Sequence, residues 1–366
     1  MLRFDVSQLL TSMASISPRV QDLLFSVGRP PMVSIDGSIR AARIDGLERM
    51  TPFHTEMVVL HLLRSAPHAA PTVRERGAAS FTFSVPGKPR FRASVFQQRG
   101  SFAAVLRTIP DGVTRLDKLG LTDDLGWVVD EVSSGIILVN GPAGSGRSTT
   151  MAALLEEFNH RRPCHIVTVE DPIELLHRHS KAVVHQREVG QDTPSLRAGI
   201  EDCLRQGADV IMLSAVPDRE TAAVMLEAAE TGLLILASVR GLDTGSALRR
   251  LVSLFDADER PAACRQLARS LKVSFTQRLL PGVSGGRVLV AELWRNLPTT
   301  RKLLQQGELA SLAIADVLRD ASAFGARPFD LTLERYVRSG VLDPGVAMAQ
   351  AVAASQLELR LMDLQG

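Results

Sequence analysis

The sequence predicts an α/β chain in two parts: an α+β region over residues 1–110 and a parallel-sheet region over residues 121–366, joined by a linker at 111–120. Three observations predict it. The first part holds extended segments paired around turn dipeptides. The second alternates short, wholly apolar runs with helical patterns, as strands buried on both faces of a parallel sheet do. One of those runs leads through a glycine-rich stretch, Gly141–Ser148, straight into a helical pattern.

Taken in order, Asp5–Met13 has the apolar spacing of an amphipathic helix. MVSID (Met32–Asp36), Gly37 and SIRAARI read as a hairpin on an Asp-Gly turn. FTFSV (Phe81–Val85), Pro86-Gly87 and FRASVF (Phe91–Phe96) read as a second hairpin, with FAAVLRTI (Phe102–Ile109) as a neighbouring strand. Pro110-Asp111-Gly112 opens the linker. Beyond it, IILVN (Ile136–Asn140), HIVTV (His165–Val169), VIML (Val210–Leu213) and LLILAS (Leu233–Ser238) are the expected parallel strands. From about Leu297 onward the spacing is helical.

Composition narrows the function. Hydrophobic residues make up 45% and charged residues 22%, as in a globular protein. A net charge of +2 exerts no strong pull on nucleic acid or anionic membrane, and 4% aromatics leave little for base stacking. No apolar run reaches bilayer length, and MLRFDVSQLL is too short and polar for a signal peptide. Cys164, Cys203 and Cys264 lack paired spacing and suit a reducing, cytoplasmic setting. His177, His179 and His185 read as exposed loop and strand residues rather than metal ligands.

The strand–loop–helix context of GPAGSGRS is that of a phosphate loop. Gly141, Pro142, Ala143, Gly144, Ser145, Gly146, Arg147 and Ser148, with Thr149 following, are the candidate nucleotide-binding residues. Glycines let backbone N–H groups turn toward phosphate, and the helix N-terminus adds partial positive charge. Ser148 is placed to ligate Mg²⁺. The usual lysine is Arg147 here. A planar fork cannot occupy the space of a compact ammonium, so weakened binding and a poorly stabilised transition state are expected.

Beyond this loop the sequence resembles the PilT and PilU twitching-motility ATPases, relatives of the type II secretion ATPases. GRPPMVSIDGSIR (Gly28–Arg40) and FRASVFQQRGSFAAVLRTIP (Phe91–Pro110) carry the likeness in the first part. In the second part it rests on GPAGSGRSTTMAALL, HIVTVEDPIELLH (His165–His177), HQREVGQDT (His185–Thr193), AAETG (Ala228–Gly232) and SLKVSFTQRLL (Ser270–Leu280). The resemblance implies a PAS-like domain, a RecA-like motor domain, a hexameric ring, ATP with Mg²⁺, and an inner-membrane partner at the base of a pilus or secretion machine. It implies a cytoplasmic location, with peripheral attachment at that membrane. It also marks Glu170 and Asp171 as an acidic box near Mg²⁺ and the attacking water, with Glu170 a metal ligand beside Ser148. Arg92, Arg99 and Arg107 match positions on strands that face the neighbouring subunit's nucleotide. LPTTRKLL (Leu297–Leu304) is similar to the family's retraction-associated helix at Arg301 and Leu304.

Several positions break the pattern. In ADVIMLSAVPDRET (Ala208–Thr221), Ser214 and Ala215 stand where the family has a Gly-Glu pair. A methyl group can neither orient nor deprotonate water. Asp209 and Asp218 lie to either side and are not obvious substitutes. Arg240 replaces a histidine and is available to pair with phosphate, Asp171 or Glu170; Leu233 replaces another histidine, and Glu201 an arginine, while Arg205 is kept. Three readings follow. The first is a nucleotide-binding ring subunit with little or no hydrolysis, alone or beside an active paralogue. The second is a working motor ATPase using Arg147 and Glu170. The third is a ring adaptor that binds no nucleotide.

Overall fold

The computed structural model describes residues 4–35, 38–84, 90–109 and 112–362. The Asp36-Gly37, Pro86-Gly87 and Pro110-Asp111 turn signals therefore lie outside the described residues. The chain divides into two compact units. The first comprises Met1–Val113 with the short segments Pro172–Leu176 and Glu188–Pro194, and the second comprises the remainder.

Six strands build the first unit: β1 (Val20–Phe25), β2 (Met32–Ile35), β3 (Ser38–Ala41), β4 (Ala78–Ser84), β5 (Arg90–Gln98) and β6 (Ser101–Ile109). Their order is β3-β2-β1-β6-β5-β4, and the pairings are antiparallel. Alternation along β5 sends Phe91, Ala93 and Val95 into the core and Arg90, Arg92 and Ser94 to the other face. The helices Val6–Ala14 and Pro52–Ser65 cover the apolar face through Leu9, Leu10, Met13, Val58, Val59 and Leu62. Asp5 caps the first of these by accepting from the Gln8 N–H at 3.0 Å. Thr51 caps the second, ahead of Pro52 in its first turn.

On the polar face, Glu188 is almost fully buried. Its carboxylate accepts from the Thr82 N–H (3.2 Å), the Thr82 hydroxyl (3.0 Å) and the Ile173 N–H (3.2 Å), with Arg90 at 3.7 Å. These bonds hold the segment Pro172–Leu176 to β4. Burying a carboxylate is tolerable only with this many donors.

The second unit is built on seven strands: β7 (Gly135–Asn140), β8 (His165–Glu170), β9 (Val183–Glu188), β10 (Val210–Leu213), β11 (Leu234–Val239), β12 (Leu271–Pro281) and β13 (Arg287–Arg295). Their order is β13-β12-β7-β11-β10-β8-β9. The four predicted apolar runs pair in parallel as β7, β11, β10 and β8, and are buried along nearly their whole length. Strand β12 adds in parallel to β7, and β13 returns antiparallel to β12. The helix Arg147–Arg161 packs on the sheet through Met151, Leu154, Leu155 and Phe158. The helices after Leu297 form a further core around Phe329, Leu333, Leu342 and Leu357. Among the described residues no helix is long and apolar enough to cross a membrane.

Candidate nucleotide-binding site

Strand β7 ends at Asn140, and the loop Gly141–Gly146 delivers the chain into the helix Arg147–Arg161. Gly141, Gly144 and Gly146 all have positive φ (153°, 75° and 87°), a backbone that L side chains rarely adopt. A Cβ on Gly141 would lie 2.3 Å from Ser145 Oγ and 2.4 Å from the Gln277 carbonyl oxygen. Pro142 is partly buried, Ala143, Gly144 and Ser148 are exposed, Ser145 is buried, and Arg147 and Thr149 are partly buried. The loop thus leads into the N-terminus of a fifteen-residue helix, where backbone N–H groups and the helix dipole favour a bound anion. The exposed Ser148 hydroxyl in the first helical turn fits the metal role expected of it.

Glu170 ends β8 and is 4% exposed. Its Oε1 accepts from Thr168 Oγ1 at 2.6 Å and Gln186 Nε2 at 3.1 Å. Asp171 is exposed, and its N–H donates to Ser214 Oγ at 3.0 Å. Ser214 therefore does what a glycine there could not: its hydroxyl ties the end of β10 to the acidic pair. Ala215 follows with its methyl exposed. The flanking carboxylates are engaged structurally. Asp209 accepts from the His165 N–H at 2.7 Å, and Asp218 caps the helix Arg219–Glu230 through the Thr221 N–H at 2.8 Å. Arg240 is exposed beyond the end of β11 and makes no ion pair among the described residues, so the pairing with Asp171 or Glu170 open to it from sequence is not formed. Glu201 pairs with Arg197 (2.8 Å), and Arg205 with Asp202 (2.6 Å).

A buried polar cluster that sequence reasoning missed underlies the loop. Asn140 Nδ2 donates to Ser274 Oγ (2.7 Å) and Thr276 Oγ1 (3.3 Å), and Thr244 Oγ1 lies 3.1 Å from Thr276 Oγ1. Glu292, paired in register with Thr276, accepts from the Thr244 N–H at 2.7 Å. Burial pushes the Glu292 carboxyl up to about 7, with the Asp243 charge adding to the rise and the Thr244 hydrogen bonds opposing it. Polar residues on β12 and β13 were the available signal, but no local pattern says they converge.

Two expectations need correction. His177 is not exposed: its side chain is 1% accessible, and Nδ1 lies 2.7 Å from Glu156 Oε2 on the helix Arg147–Arg161. Burial alone raises the Glu156 carboxyl, but the His177 hydrogen bond and charge, together with His160 and the Asn159 hydrogen bond, hold that group below its usual value. His165 Nε2 and His185 Nδ1 are 2.9 Å apart, and no metal-binding cluster exists among the described residues. Arg99 is not on a strand: it occupies the tight turn between β5 and β6 at φ 49°, followed by Gly100 at φ 74°. Arg92 and Arg107 are direct cross-strand neighbours in the first unit. Arg107 bonds Asp22 at 2.8 Å, which raises its pKa further, and Arg92 lies 3.8 Å from Glu174.

The family model for type II/IV secretion system proteins matches residues 77–306. The chain belongs to this family. This secretion-family chain is similar to the type IV pilus retraction ATPase PilT of Pseudomonas aeruginosa, at 33% identity over 92% of this chain and 95% of that protein. It is similar to the type IV pilus ATPase PilU of the same organism, at 32% identity over 93% of this chain and 87% of that one. Its fold matches a crystal structure of the pilus retraction motor PilT with bound ADP, with a TM-score of 0.85 and 32% identity, covering 98% of this chain and 100% of that one. The secretion-family fold is thus a RecA-like P-loop domain preceded by a smaller PAS-like α+β domain.

Proposed function

We propose that the chain is a PilT-like, nucleotide-binding ring subunit of a type IV pilus or type II secretion motor, with hydrolysis impaired or absent and an accessory role beside the force-generating ATPase. One observation carries this reading: the loop keeps three glycines at positive φ ahead of a helix, while beyond β10 the chain offers the Ser214 hydroxyl and the Ala215 methyl but no carboxylate. Asp209 and Asp218, the first carboxylates on either side of Ala215 in sequence, are held by His165 and by a helix terminus.

ATP would bind through the loop backbone and Arg147, and Ser148 and Glu170 are the residues that would hold Mg²⁺, which would supply neutralisation of phosphate charge. Arg147 stabilises that charge less well than a lysine seated between the phosphates. With no carboxylate at 215 to orient water, the hydrolytic step loses roughly two or more orders of magnitude in rate. Arg92, Arg99 and Arg107 are proposed to reach a neighbouring subunit's nucleotide in a homo-hexamer or a mixed ring with an active paralogue. That ring engages an inner-membrane platform protein from the cytoplasmic side.

ATP binding and phosphate release by the purified chain test the reading, alongside Arg147→Lys combined with Ala215→Glu. Binding without turnover is expected, with turnover rising at least tenfold in the double variant. Metal-dependent turnover by the unaltered chain would refute impaired hydrolysis, and absence of both binding and turnover would refute nucleotide binding.

A further inference from the structure

Building on the nucleotide-binding reading above, we propose that Gln277 is the positioning residue that turns the phosphate loop's donors toward the ligand. Gln277 is fully buried on β12, on the same alternating face as Val273 and Phe275, which pack in the core with the helix Arg147–Arg161. Its Nε2 donates to the Ser145 carbonyl oxygen at 2.6 Å. In a trans peptide the C=O and the following N–H point to opposite sides. Capturing the Ser145 carbonyl against β12 therefore turns the Gly146 N–H away from Gln277, to the loop's open side. Released, the same peptide is free to rotate and set a carbonyl dipole against an anion, replacing attraction by repulsion.

Two further observations support the assignment. The loop lies directly on this residue: a Cβ on Gly146 would be 3.2 Å from Gln277 Nε2, and one on Gly141 would be 2.4 Å from the Gln277 carbonyl oxygen. Gln277 Oε1 and Ser145 Oγ are both buried without a hydrogen-bond partner among the described residues. A buried acceptor left unsatisfied destabilises a fold. Packing alone would favour an apolar residue of equal length, so the carboxamide is accounted for by what it does to the loop.

The test uses the full chain with Gln277→Met, which keeps length but removes the donor, and Gln277→Glu, which keeps shape but removes both N–H groups. Affinities for ADP and adenosine are measured by calorimetry, and the ligand-free unfolding temperature is recorded for each. The wild type is expected to bind ADP, and Gln277→Met to lose roughly tenfold for ADP with adenosine affinity and unfolding temperature unchanged. Gln277→Glu is expected to lose more, because a carboxylate then faces the Ser145 carbonyl. Wild-type ADP affinity in both folded variants overturns the role of Gln277 and leaves nucleotide binding standing. Unfolding of both variants overturns it too, by assigning the residue to the core. A wild type that binds no ADP refutes the underlying reading and this one with it.

Discussion

Glu292 allows a quantitative test of the polar cluster under the loop. It is almost fully buried on β13, and its carboxyl is lifted from the usual glutamate value of 4.5 to about 7, chiefly by burial. A carboxyl whose folded value is raised adds stability that is complete below pH 4.5 and is lost as pH rises through about 7. The difference between those two values corresponds to roughly 3 kcal/mol. Glu292→Gln removes the titration while leaving an oxygen to accept from the Thr244 N–H. The new amide also needs an acceptor, but that term is independent of pH, so the informative quantity is a slope rather than an offset. Unfolding temperatures of both proteins, measured between pH 4.5 and 8, should diverge in favour of the glutamine variant by roughly 5–10 °C as pH rises. Parallel curves would show that Glu292 does not hold its proton in the folded chain and would refute the reasoning.

Two other substitutions probe how the acidic strand end is supported. Gly199→Ala on the helix Leu196–Arg205 would set a Cβ 2.5 Å from Val169 Cγ1, one residue before Glu170, so urea unfolding should show a loss of about 1–3 kcal/mol; a gain of about 1 kcal/mol, as at an open helical glycine, would contradict the packing. Glu188→Ala strands the Thr82 and Ile173 donors and the Arg90 charge, with an expected loss of about 3 kcal/mol, and hydrogen exchange should rise first at those two amides.

The sequence disclosed the elements whose burial follows a continuous or periodic pattern. The four apolar strands of the parallel sheet, the first helix and the second hairpin's strands follow from periodicity, because burial on one or both faces writes itself directly into residue type. Strand β12 carries Ser274, Thr276, Gln277 and Arg278 in buried positions and gives no such run. Its polar atoms are matched by Asn140, Ser145, Thr244 and Leu242, residues at least 30 positions away. The same holds for His177, whose burial depends on Glu156 across 21 residues. Arg99 was legible in principle, since Gly100 beside it, between two alternating strands, is a turn signal. The site divides in the same way: the glycine spacing disclosed the loop, while the Ser214–Asp171 bond required the adjacency of β8 and β10.

That division bears on how, under the proposed function, binding could persist where hydrolysis is impaired. On the proposed reading the loop's affinity for phosphate resides in backbone conformation, to which three glycines at positive φ, the Gln277 hydrogen bond from β12 and the helix packed by Met151, Leu154 and Phe158 each contribute. Altering the glycines or the helix packing would strain the backbone or perturb a core. On the same reading the water-orienting function would reside in one side chain just beyond β10, at position 215, where Ala215 is exposed. Surface substitutions of that kind generally change stability by no more than about 0.5 kcal/mol. Hydrolysis can therefore be lost without weakening the fold. Ser214, moreover, adds a hydrogen bond to Asp171 that glycine lacks, so on the proposed reading the altered pair supports Asp171 while leaving position 215 without a group to act on water.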